Sequence, residues 1–300
     1  MNADRGPIFV GGLAHSGKTQ VRTVLGAHPE LSMTRHTSLW DRYYGRFGDI
    51  GDPRNLERCL AAIGGDQRVA VLRPDLARLR RELSDGRVGY ARLFGLLHRQ
   101  HAERSGKRRW GEQLRGVERF ADPIFEEFPT ARMIHMIRDP RAGAIRDPGR
   151  RPGALGWETA RWITSAGLAE GNLRRYGGRY RVVRYETLAI TPRETMRELC
   201  AFLDEEYLPG MDHVLDSVRY DEDTPQPGRR DEAGSSPSLA FIDRYAARDL
   251  RIFDYPVEPD GTTTTRERLA FALIARPVNR ASMAAWHLLE GRSRVGRVKG

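Results

Sequence analysis

The sequence predicts an α/β fold in which a central parallel sheet is flanked by helices in three layers. Three observations carry this expectation. Short apolar runs bounded by turn residues recur at 7–11, 131–137 and 180–183, with the length and composition of buried strands. Amphipathic stretches of helical period separate them. A glycine-rich loop stands between the first run and the first helix, as in P-loop-type folds.

Taken in order, Pro7–Gly11 reads as a strand, followed by the glycine-rich turn. A helix over Thr19–Ala27 follows, with Val21, Val24 and Leu25 on one face. Residues 32–55 mix aromatic and polar side chains. Helical patterns recur at 54–63 and 90–104, and Val69–Leu72 reads as a short strand. Phe120–Phe128 reads as a helix ended by Pro129, and Ala131–Ile137 as a buried strand. Trp157–Tyr176 is a long amphipathic helix with Trp162, Ile163 and Leu168 inward. Tyr180–Val183 gives another strand and Pro192–Asp204 another helix. Residues 221–237, rich in Pro, Gly, Asp and Ser, read as a loop, and Ser238–Ile252 as the last helix of the domain. The expected division is one α/β domain over 1–260 and a basic, partly helical tail over 261–300. The tail is expected to pack on the body, lie on a membrane surface, or join a partner.

The 300 residues are 39% hydrophobic and 30% charged, ordinary values for a globular protein. The net charge of +10 is not ordinary and favours anionic partners. Nearly all of it is arginine; the lysines are Lys18, Lys107 and Lys299. A lysine inside a phosphate-type loop therefore stands out. Cys59 and Cys200 have helical contexts and no metal-ligand spacing, which suits a reducing cytoplasm. Residues 1–7 lack an apolar signal core, and no apolar run is long enough to span a bilayer. Charge alone does not make a nucleic-acid binder, because no recognition fold or aromatic–basic interleaving accompanies it.

The loop Gly12-Leu13-Ala14-His15-Ser16-Gly17-Lys18-Thr19 satisfies G-x-x-x-x-G-K-[ST]. Glycines let the backbone curl until several N–H groups face one anion, and the following helix adds its positive end. The lysine adds a point charge and the threonine a hydroxyl. The ordinary alternative is a structural turn with a helix cap. A second anion site is expected at Met136-Ile137-Arg138-Asp139-Pro140-Arg141, where an arginine ends a buried strand beside a helix start.

With these blocks in hand, the chain resembles the sulfotransferases that use 3′-phosphoadenosine 5′-phosphosulfate (PAPS), in particular tyrosylprotein sulfotransferases and bacterial relatives. The resemblance covers about residues 7–255. It rests on the order of several blocks: Gly11–Leu31, Trp110-Gly111-Glu112, Phe128–Ala142, Val183–Leu188, Pro192 with the helix ending at Leu203, and Phe253-Asp254-Tyr255. It implies that Gly12, His15, Ser16, Gly17, Lys18, Thr19 and Gln20 hold the 5′-phosphosulfate, that Arg138 binds the 3′-phosphate, and that Tyr185 lies near the adenine. The alternative for Tyr185 and Glu186 is strand-end packing and a helix cap. No metal is expected.

The chain departs from the family at five positions. His15 stands where Arg or Lys is usual, and Lys18, which replaces a common threonine, is expected to assume the charge role. Arg146 replaces a serine and is expected either to clamp the 3′-phosphate with Arg138 or to be a solvated helix residue. Gln113 replaces a common lysine. His36 maps onto the glutamate that acts as base in tyrosylprotein sulfotransferases, with Asp41 and Glu112 as alternatives.

Three functions compete at this point. The first is sulfuryl transfer from PAPS to a hydroxyl of a small molecule, sugar or natural product, leaving 3′,5′-adenosine bisphosphate (PAP). The second is an ATP- and Mg-dependent phosphotransferase, which needs an aspartate at a strand end, Asp139 or Asp75. The third is a nucleotide-binding or membrane-surface protein without catalysis. Residues 37–50, 147–157 and 221–240 are expected to shape the acceptor pocket.

Overall fold

The structure, a computed structural model, describes residues 5–146, 151, 153–220, 236–257, 273 and 275–298, with side chains to residue 289. The expected loop over 221–237 falls almost wholly outside these residues, as do the division at 260/261 and the start of the tail.

Among the described residues five strands form one parallel sheet: β1 (Ile8–Gly12), β2 (Leu31–Thr34), β3 (Arg109–Gln113), β4 (Arg132–Ile137) and β5 (Tyr180–Arg184). Their order is β2-β3-β1-β4-β5, with every pairing parallel. The three-layer α/β expectation holds. Residues alternate in direction along β1. Ile8 and Val10 pack with Val21, Val24 and Leu25 of α1 (Lys18–Gly26) on one face. Phe9 lies on the other, edge-on to Trp40 and Trp110 in a cluster that includes Leu93 and Phe94. Both faces are covered, so the central strand is buried throughout.

The helices of the first half are α2 (Leu39–Arg42), α3 (Pro53–Gly64), α4 (Gln67–Ala70), α5 (Leu76–Ser84), α6 (Tyr90–Arg104) and α7 (Ala121–Glu127). Those of the second half are α8 (Arg141–Arg146), α9 (Ala154–Tyr176), α10 (Tyr185–Ile190), α11 (Pro192–Phe202), α12 (Gly210–Ser217) and α13 (Pro237–Ile252). A C-terminal helix spans Arg276–Val298.

Two expectations need correction. Val69–Leu72 is not a strand. The Asp66 carboxylate accepts from Arg68 N and caps a short helix there, and Val69 turns into the core. Strands β2 and β3 were absent from the sequence expectation. Their Ser32, Thr34, Arg109, Glu112 and Gln113 break the apolar run, yet neighbouring buried groups satisfy several of those polar side chains. Thr34 Oγ1 donates to Gly111 O at 3.0 Å, and Arg109 reaches Gly6 O and Glu205.

The C-terminal helix packs on α9. Helix α9 begins after Gly153 with no side-chain cap of its own. The amide of Gly156, in its first turn, instead donates to Asn279 Oδ1 at 3.1 Å. Trp286 Nε1 donates to Thr164 Oγ1 at 3.1 Å, and its ring meets Trp157 edge-on. A methyl group on Gly156 would collide with the Asn279 backbone. Gly156→Ala is therefore expected to loosen the C-terminal helix and cost roughly 1–3 kcal/mol. Faster hydrogen–deuterium exchange over 276–289, with the sheet still protected, is the expected signature.

Candidate active site

The sheet register decides what meets at its carboxyl edge. Gly12 of β1 pairs with Met136 of β4, so the loop after Gly12 lies beside Arg138. On the other side Val10 pairs with Gln113 and Thr34 with Glu112, which brings the end of β3 and residues 35–37 to the same edge. Residues far apart in sequence thus gather where ligands bind in such sheets.

The loop curls because three residues adopt left-handed backbone: Gly12 (φ 121), His15 (φ 61) and Gly17 (φ 90). A Cβ at Gly12 would strike Met136 O, and one at Gly17 would sit 2.8 Å from the Tyr185 ring. Ser16 Oγ donates to Leu13 O at 2.8 Å, and the Lys18 ammonium donates to the same carbonyl. Two donors on one carbonyl fix the curl. The result is a small concave cradle followed directly by α1, whose first amides lack intrahelical acceptors.

Arg138 Nη1 donates to His15 O at 3.1 Å, tying the end of β4 to the loop. Its guanidinium lies 4.1 Å from the Tyr185 ring centroid, a cation–π contact. Trp162 Nε1 donates to Arg138 O at 2.8 Å from helix α9. The following turn is locked by Arg141, which grips both oxygens of Asp139 and reaches Asp243 Oδ1 at 2.9 Å and Pro256 O at 2.7 Å. Glu186 accepts from Asp139 N and from the Tyr255 hydroxyl, each at 2.9 Å. Its burial pushes that carboxyl above the usual range. Asp139 is thereby occupied as a structural group.

Two cavities flank the cradle. The first, about 230 Å³, is lined by Arg138, Arg146, Arg161, Thr159 and Trp162. The second, about 590 Å³, is lined by Lys18, Thr19, Gln20, His36, Gln113 and Arg115, with Arg35 at its wall. Ala14, His15 and Ser16 line both. Arg138 and Arg146 thus reach one cavity, and Lys18 and His36 the other. Gln20 Nε2 also donates to Arg219 O at 3.3 Å. Tyr185 lines neither cavity. It is buried between Gly17 and Arg138 and supports both from behind.

Of the three base candidates, Glu112 is ruled out by burial. Its Oε1 accepts from Thr37 N at 2.8 Å and from the Thr37 hydroxyl. Its Oε2 lies 3.2 Å from His98 Nε2, within ion-pair reach but outside hydrogen-bond geometry. Glu112 braces the segment that carries His36. Asp41 Oδ2 lies 3.5 Å from His36 Nε2 and orients the ring, with Ser38 Oγ at 3.3 Å from the same nitrogen. The segment 37–50 contributes less to a pocket than expected. Leu39, Trp40 and Tyr43 are core, with Trp40 packed against Phe9, Tyr44, Phe94 and Phe120. Of 147–157, Leu155 lines the first cavity, while 147–150 and 152 lie outside the described residues.

Sequence reasoning missed Arg35, Arg115 and Arg161, which look like surface arginines in a chain full of them. It also missed a buried network beneath the cradle. Ser165 Oγ donates to Glu118 Oε1 at 3.0 Å and approaches His135 Nε2 at 3.4 Å, while Tyr180 Oη meets His135 Nδ1 at 2.9 Å. No motif joins these positions; only the fold does. His28, expected to cap or pack at a helix end, accepts from Glu30 N at 3.1 Å.

Burial pushes the Lys18 ammonium down to about 8. The Glu118 carboxylate opposes that shift, and Arg115 and Arg161 add to it. Among the described residues no group of three or more His, Cys, Asp or Glu could hold a metal ion, and no helix is long and apolar enough to cross a membrane.

The family model described as the sulfotransferase family matches residues 7–209. The protein-tyrosine sulfotransferase of Drosophila melanogaster is 25% identical over 216 residues, which cover 69% of this chain and 39% of that protein. The chain therefore spans well under half the length of that curated relative. Among solved structures, the sulfotransferase domain of the Synechococcus olefin synthase superposes with a TM-score of 0.52. It is 19% identical, over 86% of this chain and 98% of that domain. That likeness concerns the fold.

The Lys18 charge sets a trade-off. Its folded-state value near 8 lies below the ordinary 10.5, so the unfolded chain holds this proton more tightly. The cost is fully present below pH 8 and is relieved as pH rises from 8 to 10.5. Lys18→Met is expected to stabilise the protein at pH 7 by about 1–3 kcal/mol in urea unfolding. The same variant should bind pyrophosphate more weakly in calorimetry. Wild-type affinity should fall as pH rises through about 8, and that dependence should vanish in the variant.

Proposed function

The chain belongs to the sulfotransferase family, and from that premise we propose that it carries a sulfuryl group from PAPS to a hydroxyl of a small molecule, sugar or natural product. The observation that carries this reading is the pair of cavities joined by Ala14–Ser16, each with its own cationic groups. A nucleotide with a phosphate at the 3′ position and a phosphosulfate at the 5′ position has two anionic ends. Arg138, with Arg146, suits the first end; the cradle with Lys18 suits the second. The cradle fits, because the left-handed backbone at Gly12 and Gly17 curls the loop into a concavity with the start of α1 directly behind it.

PAPS supplies an activated sulfur and a bisphosphate leaving group. His36, steadied by Asp41, removes the acceptor's proton as its oxygen attacks sulfur. The new oxygen–sulfur bond forms while the sulfur–oxygen bond to phosphate breaks, and the electron pair departs on PAP. Loop amides and the Lys18 ammonium take up that charge, with His15 at the mouth of the cradle as a further donor. The phosphotransferase reading loses ground because Arg141 holds both oxygens of Asp139, and Asp75 caps helix α5 by accepting from Arg78 N. Buried, free Cys59 and Cys200 support a reducing compartment such as the cytoplasm. Exposed Leu288 and Leu289 on the C-terminal helix support a peripheral contact of the tail with a membrane surface.

PAP is expected to raise the melting temperature more than ADP or ATP with Mg²⁺ at equal concentration. Arg138→Ala should abolish that preference, and a shift with ATP and Mg²⁺ alone would contradict the proposal. His36→Ala should retain the PAP-induced shift while PAP release from PAPS, assayed with a panel of phenols and sugars, slows about 10²- to 10⁴-fold. Unchanged turnover would remove His36 as the base.

A further inference from the structure

Gln113 presents no charge to the second cavity, although that cavity contains the proposed base and the phosphate cradle. The chain directly after β3 stays in register with the sheet. Leu114 N donates to Val10 O at 3.0 Å, continuing the ladder one residue beyond Gln113. Glu112 and Leu114 are buried, and Gln113 and Arg115 both line the cavity. Just past the end of β3, Arg115 thus brings a guanidinium to the cavity where Gln113 offers only an amide.

Three arginines surround this edge, and their surroundings separate them. Arg161 lines the first cavity from helix α9, with its guanidinium 5.7 Å from the Trp286 ring centroid. Arg35 lines the second cavity, but its charge acts on Arg22 of α1 rather than on Lys18. Arg115 lines the second cavity, and its charge acts on Lys18 directly. Among the described residues no carboxylate or carbonyl engages the Arg115 guanidinium. Glu118 is the carboxylate that opposes this pair of cations, and an anion entering the cavity would be drawn to both.

Resting on the sulfotransfer reading, we propose that Arg115 is a further catalytic residue whose guanidinium contacts the sulfuryl oxygens during transfer. As the acceptor oxygen–sulfur bond forms and the sulfur–phosphate oxygen bond breaks, negative charge spreads over the sulfuryl group and the departing oxygen. Arg115 meets the former, Lys18 the latter, and the acceptor's proton goes to His36. The planar fork of an arginine suits a three-oxygen group.

The contact distinguishes PAPS from PAP, because only PAPS carries the sulfuryl group. Arg115→Ala should weaken PAPS binding roughly ten- to hundredfold in calorimetry while PAP binding stays within about twofold. Arg115→Lys should recover part of the loss, and kcat for PAP release should fall in Arg115→Ala more than KM rises. Equal weakening of PAPS and PAP would overturn the proposal, since Arg115 would then serve phosphate alone. Unchanged PAPS binding with unchanged kcat would overturn it as well. If wild-type protein binds neither PAP nor PAPS, the sulfotransfer reading itself fails, an outcome distinct from either of these. The exposed position of Arg115 leaves the core intact in both variants.

Discussion

The pairing of Gly12 with Met136 governs the rest of the molecule. Strand β1 can end against β4 only because residue 12 has no side chain to strike the Met136 carbonyl. That contact brings the loop and Arg138 together, and the bond from Arg138 to His15 O then fixes the loop's shape. Everything else at the carboxyl edge takes its position from this junction. Tyr185 packs behind Gly17, Trp162 holds the Arg138 carbonyl, and Arg141 clamps the turn that follows.

The edge is also electrostatically loaded. Lys18, Arg115 and Arg161 repel one another, and Glu118 is the buried carboxylate that opposes their combined charge on Lys18. Glu118 is itself held by Ser165 and sits beside His135, whose imidazole burial keeps below its ordinary range. The arrangement stores unfavourable energy that an incoming polyanion would release.

The fold was legible where the physics is local. Strands β1 and β4 are short, mainly apolar runs, and the helices have clear period and capping residues such as Asp52 and Ser236. Strands β2 and β3 were hidden because their polar residues find partners only after the sheet assembles. In the candidate site, the glycine loop and Arg138 could be read because backbone demands and strand ends leave marks in sequence. The bracing role of Glu112 could not, since Thr37 and His98 lie far from it along the chain. Arg115 was hidden for a different reason. Among so many arginines, only the assembled fold distinguishes those that face the cavity.

The hydrogen bond from Gly156 to Asn279 carries a practical corollary for anyone handling this protein. Helix α9 contributes Glu158, Thr159, Arg161 and Trp162 to the first cavity, and its opening turn is completed by a residue more than a hundred positions downstream. Affinity tags, reporter fusions or trimmed expression clones that disturb the carboxyl-terminal segment would therefore be felt at the first cavity. Placing such appendages at the other end leaves that remote cap untouched.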